Sequence, residues 1–249
     1  MKATSIEFRF RIAIICSLYV LGFLAPWERF GAAANLNPPR LWSWLAIEAA
    51  RTGILSVGNA YLAVTAAAVL LAIAAAFFRV WGTAYLGRVV MRNMELQAVA
   101  VMASGAYRHL RNPLYLGMLL NALAVSILMP ATGSVFFLVS ITLFTVRLIG
   151  AEESFLTVQL GDDYAYYRKA VPSIWPSLKS RLAASTARSH WMQSLLAEIY
   201  PVGTAGCFAV LAWSYDADLL TRCVLVCFGI SLVIRALTGS TREAPALIG

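Results

Sequence analysis

Apolar residues in this chain do not alternate with polar ones. They gather into long runs broken by short polar stretches. Six runs read as membrane spans, at about 10–25, 61–78, 114–129, 133–148, 202–215 and 219–234, the fifth being the shortest. A helix needs around 20 predominantly apolar residues to cross a bilayer. In lipid each backbone polar group must be satisfied within its own segment, so runs of this kind predict helices rather than barrel strands. The third and fourth runs are separated only by Pro130, Ala131, Thr132 and Gly133, an uncharged turn that predicts a tight helical hairpin. The expected fold is an all-α, polytopic transmembrane helical bundle of about six spans, forming a single domain over 1–249.

Between the first two runs, 26–60 carries the pair Pro38-Pro39 and the tryptophans Trp27, Trp42 and Trp44. Tryptophans at the edges of a loop outside the membrane fit an interfacial belt. Within it, 41–56 has helical apolar spacing broken by Glu48 and Arg51. A helix lying on the outer surface and an extension of the second span both fit that spacing.

Composition sharpens the class. A mean hydropathy of +0.73, with 60% hydrophobic and only 13% charged residues, excludes an ordinary soluble domain. With both termini cytoplasmic, sixteen of the 20 Lys and Arg residues face inward. Arg29, Arg40, Arg51 and Arg222 face outward, a clear positive-inside bias. The net charge of +8 then needs no nucleic acid to explain it, and basic juxtamembrane loops suit anionic membrane lipids. The expected location is a multi-pass position in an inner (cytoplasmic) or endoplasmic-reticulum-type membrane. The first run has a basic prelude from Lys2 to Arg11 but no small-x-small cleavage site, so it reads as a retained span. Cys16, Cys207, Cys223 and Cys227 all fall in apolar runs. Cys223 and Cys227 share a helix face without a His or acid beside them, which points to packing and to no metal site.

The polar residues concentrate in two blocks. The first is Gly105-Ala-Tyr-Arg-His-Leu-Arg-Asn-Pro-Leu-Tyr-Leu-Gly117, immediately before the third run. Two arginines, a histidine, an asparagine and two tyrosines are more hydrogen-bonding capacity than a membrane entrance needs, and ask for a ligand. The second block lies about forty residues on. It begins Arg147-Leu-Ile-Gly-Ala-Glu-Glu-Ser-Phe-Leu and continues from Gly161 through Tyr164, Tyr166 and Tyr167 to Pro172 and Pro176. Its acids predict the start of a short helix at 152–161, closed by Gly161, with a second helix over 162–170. Pro113 keeps Asn112 out of helical geometry and marks the start of the third span. Asn121, inside that span, is expected to face the bundle. No repeat, phosphate loop or separate nucleotide-binding domain is evident, so a cofactor site has to be assembled from loops and helix ends.

In this order and separation the two blocks resemble the signature of the isoprenylcysteine carboxyl methyltransferase family, related in its cofactor site to the phospholipid methyltransferases. The resemblance covers 79–176, leaving 177–249 as a linker plus the last two spans. It implies an integral membrane enzyme that uses S-adenosylmethionine, with cytoplasmic cofactor-binding loops and short helices. The cofactor-contacting positions it implies are Val99, Ala100, Val101 and Met102 through their backbone, then Tyr107, Asn112, Pro113, Leu114, Tyr115 and Glu152. Arg111 and Tyr115, flanking the Asn112-Pro113 turn, are expected to point into the same pocket. Arg147, ahead of the acidic pair, is expected to serve the methyl acceptor beside Glu152. Many eukaryotic members carry histidine where this chain has Asn112, and asparagine can hydrogen-bond but cannot titrate. The implied partner is a lipophilic small molecule or lipidated substrate. A phospholipid N-methyltransferase and a non-catalytic scaffold or transporter of the same fold are the alternative readings.

Overall fold

The computed structural model describes residues 2–25, 39–86, 104–180, 182 and 189–239. Helix α1 (Ser5–Arg9) is a single short turn closed by a capping box between Thr4 and Glu7. It breaks at Phe10 into α2 (Arg11–Leu24). Next come α3 (Leu41–Arg51) and α4 (Val57–Leu86), then a 3-10 turn at Gly105–Arg108. They are followed by α5 (Pro113–Ser126), α6 (Ala131–Ala170), α7 (Trp191–Ala197), α8 (Ile199–Ser214) and α9 (Ala217–Gly239). No named β-strand occurs among the described residues, and the one isolated bridge joins Arg40 to Pro130.

Of the six expected spans, three to four are met among the described residues. Among the described residues, Val57–Leu86, Ala131–Ala170 and Ala217–Ile234 are long and apolar enough to cross a membrane. A fourth crossing is added if α7 and α8, bent by 75°, count as one broken span. The first and third predicted spans fall on α2 and α5, of 14 residues each. Fourteen residues rise only about 21 Å, against a hydrocarbon core of about 30 Å. The apolar run outlasts the helix in α5. Ile127 and Met129, beyond its end, accept backbone hydrogen bonds from Trp42 and Leu41 of α3 (2.8 Å each). This lateral tie also sets α3 as a helix of its own, separated from α4 by a turn at Gly53, rather than as an extension of the second span.

The bundle is held by α4. Most of its buried positions are small (Ala60, Ala68, Ala72, Ala75, Gly82, Ala84), which lets α3, α5 and α8 approach closely, the usual means of helix association in lipid. Helices α2 and α5 pack on α6, and α9 packs on α8. The main core gathers Trp42, Phe137, Ile141, Phe208 and Leu211. A separate small cluster of Tyr164, Tyr167 and Val171 lies at the far end of α6.

The acids of the second block do not open a helix. Helix α6 runs without interruption from Ala131 through Glu152, and its backbone breaks only at Gly161 (φ 51°, ψ −123°). Gly161 was expected to end a helix and does so. The helix that it ends is the extension of the fourth predicted span.

Candidate active site

A cavity of about 380 Å³ opens between α1, α2, α4, α5, α6, α8 and α9. Its charged lining residues are Arg11, Arg79 and Glu152; Ile12, Ile15, Leu114, Met118, Leu148, Phe228 and Leu232 supply apolar wall. Arg11, Tyr115 and Glu152 mark one end. Tyr19 and Asn121 mark the other, eight residues from Arg11 along α2, or about 12 Å of helix.

At the first end the Tyr115 phenol and the Glu152 carboxylate face the cavity together, close enough to act on each other electrostatically. Tyr107, carried in by the 3-10 turn, stands within electrostatic range of Glu152 and of Arg79. Burial, reinforced by the Glu152 charge, pushes the Tyr107 phenol well above its ordinary range, so it stays a neutral hydrogen-bonding group. Arg11 stacks over the Phe8 ring at 4.5 Å. At the other end the Asn121 amide donates to the hydroxyls of Tyr19 (3.1 Å) and Tyr200 (3.4 Å). Asn121 is therefore inside the bundle, as its cost in lipid requires.

Much of the first block turns out to be committed to protein partners. Arg111 and Asn112 donate backbone hydrogen bonds to Pro172 O (2.9 Å) and Ser173 O (3.1 Å). The Asn112 side chain reaches Glu153 and Ser173. Arg111 pairs with Glu153 at 3.1 Å and donates to Arg168 O at 2.7 Å. Arg108 donates to Leu182 O (2.6 Å), and a His109 ring nitrogen meets Ser177 O (2.7 Å). Tyr167 donates to Tyr107 O (2.9 Å). The chain after α6 has no regular ladder of its own, and buried backbone groups must be paired. The first block supplies those partners.

The two blocks are therefore brought together, and the adjacent acids divide the work. Consecutive helical residues point about 100° apart. Glu152 faces the cavity while Glu153 faces the Arg111–Asn112–Ser173 knot. Leu114, Tyr115 and Glu152 line the cavity, and Tyr107 stands near it. Asn112 is buried as the residue before α5, with Pro113 at that helix's first position. Arg111 borders a separate cleft with Arg168, Lys169 and Ser177. Arg147 does not line the cavity: its guanidinium bonds Glu7 at 2.7 Å, and its carbonyl accepts from Ala3 N. Five residues along a helix turn the side chain by about 140°, which carries Arg147 away from the face that Glu152 uses. Val99, Ala100, Val101 and Met102 lie outside the described residues.

Gly105, which opens the first block, has φ +44°, and an added Cβ would collide with the Tyr85 ring, so the 3-10 turn that delivers Tyr107 needs glycine there. Tyr164 and Tyr167 of the second block are buried at 1% and 4% exposure, whereas Tyr166 is exposed. Sequence reasoning overlooked Glu198, which binds Arg79 (2.6 Å) at the cavity wall. The available signal was an acid standing alone just before an apolar run, a position that demands a partner.

Residues 66–158 match the model of the isoprenylcysteine carboxyl methyltransferase (ICMT) family. This stretch runs from within α4 through α5 to Glu152 and beyond. No curated protein and no solved structure matches the chain.

Proposed function

We propose that this membrane chain, whose residues 66–158 are an isoprenylcysteine carboxyl methyltransferase family segment, transfers a methyl group from S-adenosylmethionine to a lipophilic acceptor at the cytoplasmic membrane face. The observation that carries the reading is one cavity that holds Glu152 and Tyr115 at one end and aliphatic wall along its length. Such a site meets a water-soluble cofactor and a lipid-soluble acceptor at once.

The residues fit the cofactor. S-adenosylmethionine supplies a sulfonium-bound methyl group, along with an ammonium, a carboxylate, ribose hydroxyls and an adenine ring. Glu152 suits the ammonium or a ribose hydroxyl through charge-assisted hydrogen bonds. The cavity's aromatic and apolar surfaces suit the adenine. The volume of about 380 Å³ lies within the roughly 300–1,000 Å³ of small-molecule sites.

Within this site Tyr115 and Glu152 present a phenol and a carboxylate to the ligand side by side, and the apolar walls exclude water and receive the acceptor's hydrocarbon. Holding two reactants in register supplies roughly 7–11 kcal/mol where alignment is good. A carboxylate or thiolate acceptor needs no base in this site, whereas an ammonium acceptor has to lose a proton first. A calorimetric titration of the purified protein with S-adenosylmethionine tests the reading, with micromolar-range binding expected. Incubation with methyl-labelled cofactor and a total lipid extract should then carry label into the organic phase. Absence of cofactor binding would overturn the reading.

A further inference from the structure

Arg79 is held from three sides. On α5, an added Cβ at Gly117 would stand 2.6 Å from Arg79 Cγ and 3.1 Å from Cδ, so the aliphatic stem lies in space that only glycine leaves open. At the head, Arg79 Nε and Nη2 meet Glu198 Oε2 at 2.7 and 2.6 Å. Nη1 makes only a long 3.4 Å contact with Leu114 O. Glu198 itself is 5% exposed, sits at the 75° break between α7 and α8, and takes the Thr83 hydroxyl on its other oxygen at 2.7 Å.

A guanidinium carries five N–H groups in a planar fork. Glu198 uses one on Nε and one on Nη2, and Leu114 uses one on Nη1. One N–H on each Nη nitrogen is left, and because Nε and Nη2 share Glu198 Oε2, the remaining Nη2 N–H points to the outer edge that the two Nη nitrogens form. That is the edge geometry that receives a carboxylate bidentately. Arg79 lines the cavity, where the other charged groups are Arg11 and Glu152.

We infer that the outer edge of Arg79 is a carboxylate-binding site in the cavity, with Glu198, Thr83 and Gly117 as the residues that position it. The inference rests on the methyl-transfer reading, within which two carboxylates are available: that of the cofactor's amino-acid end and that of a carboxylate-bearing acceptor. It also gives the last helices a function, because Glu198 at the head of α8 holds a group that reaches the ligand.

The test uses the full-length protein in lipid nanodiscs. Removing one partner of a buried pair leaves the other charge stranded, so the informative variant is the double Arg79→Gln/Glu198→Gln, which removes both charges at nearly constant shape. Binding of S-adenosylmethionine, decarboxylated S-adenosylmethionine and N-acetyl-S-farnesylcysteine is measured by calorimetry. If Arg79 holds the cofactor's carboxylate, S-adenosylmethionine affinity falls about tenfold or more while the decarboxylated form is unaffected. If it holds the acceptor's, farnesylcysteine affinity falls by a similar factor and both cofactor forms are unaffected. Gly117→Ala, whose added Cβ would press on the Arg79 stem and on Ala75 O (2.9 Å) without changing any charge, should shift the same ligand in the same direction. A salt bridge with a purely structural role would not discriminate between the two cofactor forms or lower the acceptor's affinity alone. Unchanged affinities in the folded double variant overturn the inference and leave the methyl-transfer reading standing, whereas a wild-type protein that binds no S-adenosylmethionine overturns that reading.

Discussion

Glu152 and Glu153 are chemically identical neighbours with separate environments, and they should respond differently to the same substitution. Glu152→Gln keeps the shape and removes the charge at the cavity wall. S-adenosylmethionine affinity should fall about tenfold or more, equivalent to roughly 1.4 kcal/mol or above, with the protein still folded; an unchanged calorimetric titration would rule out the role. Glu153→Gln should leave cofactor affinity within about threefold and instead lower the thermal midpoint. Arg111, at 11% side-chain exposure, loses its counter-charge, a loss of roughly 1–3 kcal/mol. A third carboxylate makes a pH prediction. The Arg147 guanidinium bonded to Glu7 holds that carboxyl down at about 2, from an ordinary 4.5. A depressed folded-state value stabilises above the unfolded value and is lost as pH falls. Wild type should therefore melt above Glu7→Gln at neutral pH, and the two midpoints should converge between pH 4.5 and 2. A gap that persists unchanged at pH 2 would remove the ion pair as its cause.

At the scale of elements, α5 and α6 show what local chemistry does and does not fix. Pro113 and Asn112 announced the start of α5, because proline's missing N–H and its steric effect on the preceding residue act within the chain itself. The pair Glu152-Glu153 was misleading for the complementary reason. Acids favour a helix's first turn, but that preference is worth only about 0.3–1 kcal/mol. Here Glu153 is satisfied by Arg111 and Asn112, so the helix runs on without the acids needing its N-terminus. Gly161 is where α6 does bend, at φ 51° with open space around its Cα. Gly161→Ala should meet no clash and still strain the backbone, lowering stability by about 1 kcal/mol or more. Thermal unfolding should show the loss while Gly206→Ala, a helical glycine with equally open surroundings, shows none. Equal midpoints for the two would remove the strain argument.

At the scale of the molecule, the positive-inside distribution predicts both termini on one side. Single cysteines replacing Ser5 and Ala244, in a background lacking the native four, should both label from the cytoplasmic face; labelling from opposite faces would demand an odd number of crossings. Sequence by itself determined the membrane class, the helical character, the start of α5 and the two blocks that belong together. Each of these follows from hydropathy or from stereochemistry acting over a few residues. It did not determine the number of full crossings, because an apolar run such as 114–129 outlasts its helix when a neighbour takes over its backbone hydrogen bonds. Nor did it determine which polar groups face the cavity and which tie the blocks together, since Glu153 and Arg147 lie on the same helix as Glu152, within about 8 Å along its axis, and differ from it mainly in the direction they face. The pairing of Arg79 with Glu198, separated by 119 residues, was decided by tertiary structure alone. Two charges so distant in sequence are brought together when the small-residue face of α4 lets α8 pack against it, and Glu198, buried there, needs the Arg79 charge beside it.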